Sequence, residues 1–100
     1  MIIQWAHPAS LELEEAVAWY EAQSPGLGDK FLGEIVIATT LITQFPTAWH
    51  PISKRARSHR LNRFPYSLIY TLAVTDSVVI VALAHQHRKP LYWRDRIASF

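Results

Sequence analysis

The stretch YSLIYTLAVTDSVVIVALA, residues 66–84, decides the fold of this chain. Tyr66 to Val74 alternates large apolar residues with smaller ones, which is typical of a β-strand that places one face on a core. Val78 to Ala84 is continuously apolar and predicts a central strand covered on both faces. Thr75-Asp76-Ser77 between them is short and polar, which predicts a tight hairpin turn. The stretch therefore predicts an antiparallel pair within a sheet.

The residues before this pair predict one more strand and two helices. Ile2 to Trp5 is apolar and rich in β-formers, so we expect a strand there. A first helix is expected from about Ala9 to Gln23, and Pro46 ends a second one. The apolar residues that recur at helical spacing are Leu13, Ala16, Val17 and Tyr20 in the first helix, and Phe31, Ile35, Ala38, Ile42 and Phe45 in the second. The break at Ser24-Pro25-Gly26 joins the two as an αα-hairpin.

The remaining segments are basic and less regular. Thr47 to Ser58 has no apolar period and is predicted to be a basic loop. His59 to Arg63 is short and polar, so we expect an edge strand. Gln86 to Phe100 is a basic, aromatic tail in which Leu91 to Ala98 is predicted to form a short helix.

Together these elements predict a single α+β domain over residues 1–100. The order is β-α-α-β-β-β, with the N-terminal strand followed by the αα-hairpin and three further strands. Helices that are segregated from an antiparallel meander pack on one face of the sheet. We therefore expect the hairpin to cover one face of a mostly antiparallel four-stranded sheet.

Composition excludes several classes of protein. The chain has no cysteine, which excludes disulfides and cysteine nucleophiles. The longest apolar run is Val78 to Ala84, which is far short of the roughly 20 residues needed to span a bilayer. The N-terminus lacks the basic start of a signal peptide, so we expect a cytoplasmic protein that makes no membrane contact. Only three glycines are present and no G-x-S-x-G motif occurs, which argues against a phosphate loop or a serine hydrolase.

Charge is distributed unevenly along the chain. Residues 1–50 carry six acidic residues and one basic residue, whereas residues 51–100 carry nine basic and two acidic residues. The formal charges of the halves are therefore −5 and +7. This segregation predicts that the second half meets an anionic partner, either a nucleic acid or an acidic protein.

One cluster of residues has the chemistry needed to cleave RNA. His85 and His87 share one face of a predicted strand and suit proton transfer, while Arg60 and Arg88 suit stabilisation of a phosphorane. Tyr92 and Trp93 have rings on which an unpaired base can stack. In the alternative interpretation, His85 is a core residue and the two aromatic residues hold the tail over the sheet. The two histidines lack a third ligand nearby, so no metal site and no cofactor are predicted.

The chain resembles the RelE/ParE superfamily of toxins from type II toxin–antitoxin and plasmid-stabilisation modules. The resemblance covers nearly the whole chain. The residues that carry it are Glu15-Ala16, Trp19-Tyr20, Leu27-Gly28, Phe31, Phe45-Pro46, Arg60-Leu61, Phe64 to Tyr70, Ala82 to His85, His87 to Pro90 and Tyr92-Trp93. The Phe-Pro-Tyr stretch and the tail look more like the ParE branch.

This resemblance implies a growth-inhibiting toxin with two alternative mechanisms. A ParE-like toxin binds DNA gyrase and does no chemistry, which is the reading we favour. A RelE-like toxin is a metal-independent endoribonuclease that cuts mRNA on the ribosome, and would here use His85, His87, Arg60 and Arg88. A third hypothesis, which does not involve a toxin, is that the chain is a basic nucleic-acid-binding module. The residues expected to bind the target are Arg60, Arg63, Arg88, Lys89, Tyr92, Trp93 and Arg94. The expected partner is a cognate acidic antitoxin, in a possible hetero-oligomer.

Overall fold

The chain folds into two helices and a five-stranded sheet, followed by a short C-terminal helix. A computed structural model describes residues 1–73 and 76–100. The elements are β1 (Ile2–Trp5), α1 (His7–Gln23), α2 (Leu27–Gln44), β2 (His50–Pro51), β3 (Arg57–Arg60), β4 (Tyr66–Ala73), β5 (Ser77–His85) and α3 (Arg94–Ile97). The strand order is β1-β5-β4-β3-β2. β1 runs parallel to β5, and the other pairs are antiparallel. The predicted α+β class is confirmed.

The sheet has one more strand than the four expected. His50 and Pro51 pair with Ser58 and Arg57, so the segment predicted to be a loop at residues 47–58 contains β2 and the start of β3. A two-residue strand leaves no periodic signal in a sequence, because one alternation does not make a pattern.

The strand expected at His59 to Arg63 lies instead at Arg57–Arg60. The last hydrogen bond to β4 is made by Leu61, whose N–H donates to the carbonyl of Tyr66. The next two N–H groups, of Asn62 and Arg63, both donate to Oε1 of Glu34 in α2. A carboxylate that is distant in sequence therefore ends the strand.

The central pair follows the prediction closely. β5 extends one residue beyond Val78 to Ala84 at each end, and its residues from Ser77 to Leu83 are buried. The register shifts between Ile69 and Tyr70 of β4, which places a bulge at the middle of the pair. Of the predicted hairpin turn and strand end, Val74 and Thr75 lie outside the described residues.

The two helices pack on one face of the sheet. Four residues of α2 are buried, as their helical spacing predicted, and we call them the buried seam of α2: Phe31, Ile35, Ala38 and Ile42. Phe45 was expected to continue this seam but is 55% exposed, because the helix ends at Gln44 and the backbone leaves helical geometry at Phe45.

The C-terminal segment also belongs to the core. Trp93 and Ile97 are buried in the same cluster as the sheet. The predicted helix from Leu91 to Ala98 is reduced to Arg94–Ile97, because Leu91 adopts a left-handed φ of 62° that a helix cannot include. Nη1 of Arg55 donates to the carbonyl of Ile97, and Nη2 of the same side chain donates to that of Phe100. No helix among residues 1–73 and 76–100 has the length and apolar character required to cross a membrane.

Candidate functional site

Arg60 lies apart from the other residues considered for RNA cleavage. His85 is paired with Tyr66, and Arg60 is paired with Ser67, the next residue of β4. Because successive side chains of a strand point to opposite faces, Arg60 and His85 lie on opposite sides. Tyr66 marks the helix side, since its ring contacts Phe31 of α2 at a centroid distance of 5.4 Å. The fold therefore does not bring this arginine to the histidines.

The two histidines themselves lie close together. Their ring centroids are 5.3 Å apart, and the backbone N–H of His87 donates to Nδ1 of His85 at 3.1 Å. The ring of His85 also meets that of Tyr66 edge-on at 5.0 Å. His85 is half-buried and His87 is exposed. His85 is thus held against the aromatic residues beneath the helices, while His87 faces solvent.

Three of the residues expected to bind a target hold the C-terminal segment in place. The hydroxyl of Tyr92 donates to Oε2 of Glu12 at 2.6 Å, and burial together with this hydrogen bond raises the pKa of Tyr92. Trp93 is only 4% exposed. The guanidinium of Arg88 lies 3.9 Å from the ring centre of Tyr92, within cation–π range. Tyr92 and Trp93 are therefore packed within the fold instead of presented for base stacking.

Four of the other candidate cations are surface residues. Arg60, Arg63, Lys89 and Arg94 are exposed. Arg63 pairs with Glu34 through Nε at 3.3 Å, whereas Arg60, Lys89 and Arg94 make no ion pair among residues 1–73 and 76–100. These three cations remain available to an anionic partner.

Three of the six acidic residues in the first half of the chain accept hydrogen bonds from the backbone. Oε1 of Glu12 accepts from the N–H of Leu83 at 3.0 Å and pairs with Arg96 at 2.9 Å. Glu21 accepts from the N–H groups of Gly26 and Gly28 and so caps the start of α2. Glu34 anchors the residues after β3, as described above. These three carboxylates therefore bind groups of the protein itself, whereas most of the basic residues are exposed to solvent.

A groove that the sequence analysis missed runs between α2 and the β2–β3 edge. We call it the α2 groove; it has a volume of about 640 Å³. Ile37 and Leu41 line one side, and Trp49 and His59 line the other. Ile37 is 59% exposed, which is unusual for an isoleucine on a helix that packs a core. The feature of the sequence that could have predicted this groove is the apolar pair Val36-Ile37, which lies outside the buried seam of α2.

The edge of the α2 groove carries charges of both signs. Arg63 and Glu34, which pair with each other, both line it, and Arg60 borders it with a side chain that points to the other face of the sheet. Within the groove, the ring of His59 meets that of Trp49 edge-on at 4.3 Å, and burial lowers the pKa of His59. The groove therefore combines an apolar floor with an exposed arginine, Arg63, at its edge.

A second cavity, which we call the α1 cleft, lies between α1 and the ends of β4 and β5. Its volume is about 530 Å³, and Glu15, Trp19, Tyr20, Tyr66, His85 and Arg88 are among the residues that line it. No group of three or more His, Cys, Asp or Glu side chains suited to a metal ion occurs in the described part of the chain.

Comparison with known proteins agrees with this architecture. A solved structure described as a chromosomal ParDE TA system from P. aeruginosa matches with a TM-score of 0.66. The match covers 85% of this chain and 95% of the other at 16% sequence identity, which is a likeness of fold. No curated protein matches the chain. A family model described as the ParE toxin of type II toxin–antitoxin system, parDE, matches residues 3–90. Because this match spans most of the sequence, the chain belongs to the ParE toxin family of type II toxin–antitoxin systems.

Proposed function

We propose that this toxin inhibits growth by binding DNA gyrase and that none of its residues performs chemistry. The observation that carries this proposal is the placement of the two candidate phosphate-binding arginines: Arg60 lies on the opposite face of the sheet from His85, and Arg88 is stacked on Tyr92. Metal-independent cleavage of RNA needs a base, an acid and a phosphate-binding cation around one phosphate. The exposed cations Arg60, Lys89 and Arg94 instead suit contacts with an acidic surface.

Two assays on the same protein distinguish the mechanisms. We expect the purified toxin to inhibit supercoiling by gyrase, and we expect primer extension after induction to show no new cuts in mRNA. Codon-dependent cuts together with normal supercoiling would overturn the proposal in favour of the endoribonuclease. Tight binding to duplex DNA with a steep salt dependence, and no effect on gyrase, would favour the nucleic-acid-binding module instead. Since gyrase acts on chromosomal DNA, the proposal places the toxin in the cytoplasm.

We further propose that the antitoxin of this system lays an acidic amphipathic segment in the α2 groove. An amphipathic helix in an apolar groove is a recurrent way of binding a peptide. The exposed side chain of Ile37 offers it apolar surface, and Arg63 at the rim, whose side chain is 82% exposed, suits an acidic residue beside its apolar face.

A matched pair of variants on α2 tests this docking site. Val36 and Ile37 are adjacent and are 61% and 59% exposed, but only Ile37 lines the α2 groove. Ile37→Asp should release the antitoxin on size-exclusion chromatography of the co-expressed pair, because it places a carboxylate on the apolar floor. Val36→Asp should leave the complex intact. Equal retention of the antitoxin by both variants would contradict this site.

A further inference from the structure

The α1 cleft, on the other side of the helix pair from the α2 groove, has aromatic walls. The rings of Trp19 and Tyr20 meet edge-on at a centroid distance of 5.1 Å, and those of Tyr20 and Tyr66 at 6.3 Å. Trp19 is 58% exposed, so a large aromatic surface faces solvent at the mouth of the cleft. The hydroxyls of Tyr20 and Tyr66 make no hydrogen bond among residues 1–73 and 76–100, which leaves both able to accept one.

The charge within the cleft is negative at its aromatic side. Glu15 is exposed and makes no ion pair or hydrogen bond with the described residues. Burial raises the pKa of Tyr66, and the carboxylates of Glu12 and Glu15 raise it further, which reflects a negative potential at its hydroxyl. Of the two nearby cations, Arg96 is paired with Glu12, whereas Arg88 stacks on the ring of Tyr92 and keeps its charge.

We propose that the α1 cleft binds an arginine side chain presented by a partner protein. A guanidinium is planar, so it stacks on an aromatic face such as that of exposed Trp19. Its five N–H donors match the free carboxylate of Glu15 and the two phenolic oxygens. A lysine offers a point charge without a planar face and fits less well.

This site is independent of the α2 groove and of the choice of cellular target. Glu15, Trp19 and Tyr66 take no part in the docking proposed for the antitoxin. Failure of the Ile37 test would leave the arginine site untouched, and the converse also holds.

A small arginine probe tests the proposal on the full chain. N-acetyl-arginine N-methylamide would be titrated while the indole N–H signal of Trp19 is followed by NMR, with Trp19→Phe identifying that signal among the four tryptophans. We expect saturable binding with a dissociation constant of about a millimolar, the order set by one stacked, charge-assisted contact. The citrulline analogue has nearly the same shape without the charge and should bind at least about fivefold more weakly.

Two glutamates on α1 supply the variant and its control. Glu15→Gln should weaken binding of the arginine probe by about five- to tenfold, because it removes the carboxylate that accepts from the guanidinium. Glu14→Gln alters an exposed neighbour that does not line the cleft, and should leave the affinity unchanged. Equal binding of the citrulline probe, or no effect of Glu15→Gln, would overturn the proposal. Tighter binding of adenosine monophosphate than of the arginine probe would overturn it too, in favour of a nucleobase site.

Discussion

Arg96 and Glu12 are 84 residues apart in sequence, and Nη1 of Arg96 lies 2.9 Å from Oε1 of Glu12. The same nitrogen donates to the carbonyl of Val81 at 2.9 Å, while Oε1 accepts from the N–H of Leu83. β1 pairs with β5 only as far as Ile80, so these two side chains satisfy the edge of β5 beyond the end of its neighbour. The ion pair thus joins α1, β5 and the C-terminal segment.

Removing one partner of this pair should destabilise the protein strongly. We expect Glu12→Gln to lower the free energy of unfolding by about 2–3 kcal/mol, somewhat less than for a fully buried pair because the side chains keep 15% and 22% of their exposure. In a domain of this size that lowers Tm by roughly 10 °C or more. Thermal unfolding followed by circular dichroism measures the change. Glu14→Gln, on the exposed side of the same helix, should shift Tm by no more than a couple of degrees; a matching fall would contradict the role of Glu12.

Two glycines of α2 should respond to alanine in opposite directions. A Cβ at Gly28 would lie 3.0 Å from the carbonyl oxygen of Val17 in α1, whereas one at Gly33 meets nothing within 4 Å. Gly33→Ala should therefore stabilise by about 0.5–1 kcal/mol through helix propensity. Gly28→Ala should destabilise by about 1–3 kcal/mol, because the helices must move apart. Chemical denaturation of both variants checks the signs, and a stabilising Gly28→Ala would refute the close approach.

Arg60→Ala should reduce toxicity without reducing stability. The side chain is exposed and makes no ion pair among the described residues, so its loss should change the free energy of unfolding by no more than about 0.5 kcal/mol. Growth after induction and inhibition of gyrase should both show weaker action. Lys30→Ala, an exposed cation in the acidic half of the chain, serves as the control and should stay fully toxic. A soluble Arg60→Ala protein with undiminished toxicity would rule out Arg60 as a contact residue.

His85→Gln and His87→Gln distinguish contact from catalysis. Loss of a general acid or base typically lowers a rate by about 10²–10⁴-fold, so a nuclease would lose its cleavage of mRNA in one or both variants. A toxin that acts by binding should keep most of its toxicity. His85→Gln should also lower Tm, because the ring contacts Tyr66 and accepts from His87, whereas exposed His87 should tolerate the change. Toxicity that disappears while Tm stays constant would favour the nuclease.

The raised pKa values of the tyrosines predict that the protein loses stability at alkaline pH. Burial raises the pKa of all four, and that of Tyr70 rises to about 12. Its hydroxyl donates to the carbonyl of Pro46 at 2.6 Å, a bond that only the neutral phenol can make. Because the folded pKa exceeds the unfolded value of about 10, this contribution is complete below pH 10 and is lost as pH rises through 12.

Denaturation midpoints measured from neutral pH to about pH 11 should fall steadily above pH 10. Tyr70→Phe should make this decline shallower, while costing roughly 1 kcal/mol at neutral pH for the missing hydrogen bond. An unchanged alkaline slope in Tyr70→Phe would show that Tyr70 does not contribute to it.

Local pattern was sufficient to predict most of the fold. The helix hairpin, β1, β4 and β5 follow from apolar spacing and from breaks at proline and glycine, since the physics of those elements acts over a few residues. The seam of α2 was predicted correctly at Phe31, Ile35, Ala38 and Ile42. Membership of the toxin family was likewise within reach of the sequence, because its motifs occur in order along the chain.

Tertiary structure decided the parts that depend on contacts between distant residues. β3 ends at Arg60 because Glu34 of α2 captures the N–H groups that follow. Tyr92 packs against the fold because its hydroxyl donates a hydrogen bond to Glu12, eighty positions earlier in the chain. Arg60 and His85 fall on opposite faces because the register of two strand pairs places them against neighbouring residues of β4. Apolar periodicity carries no information about which carboxylate meets which donor, so only the packed chain fixes how these charged and polar groups pair.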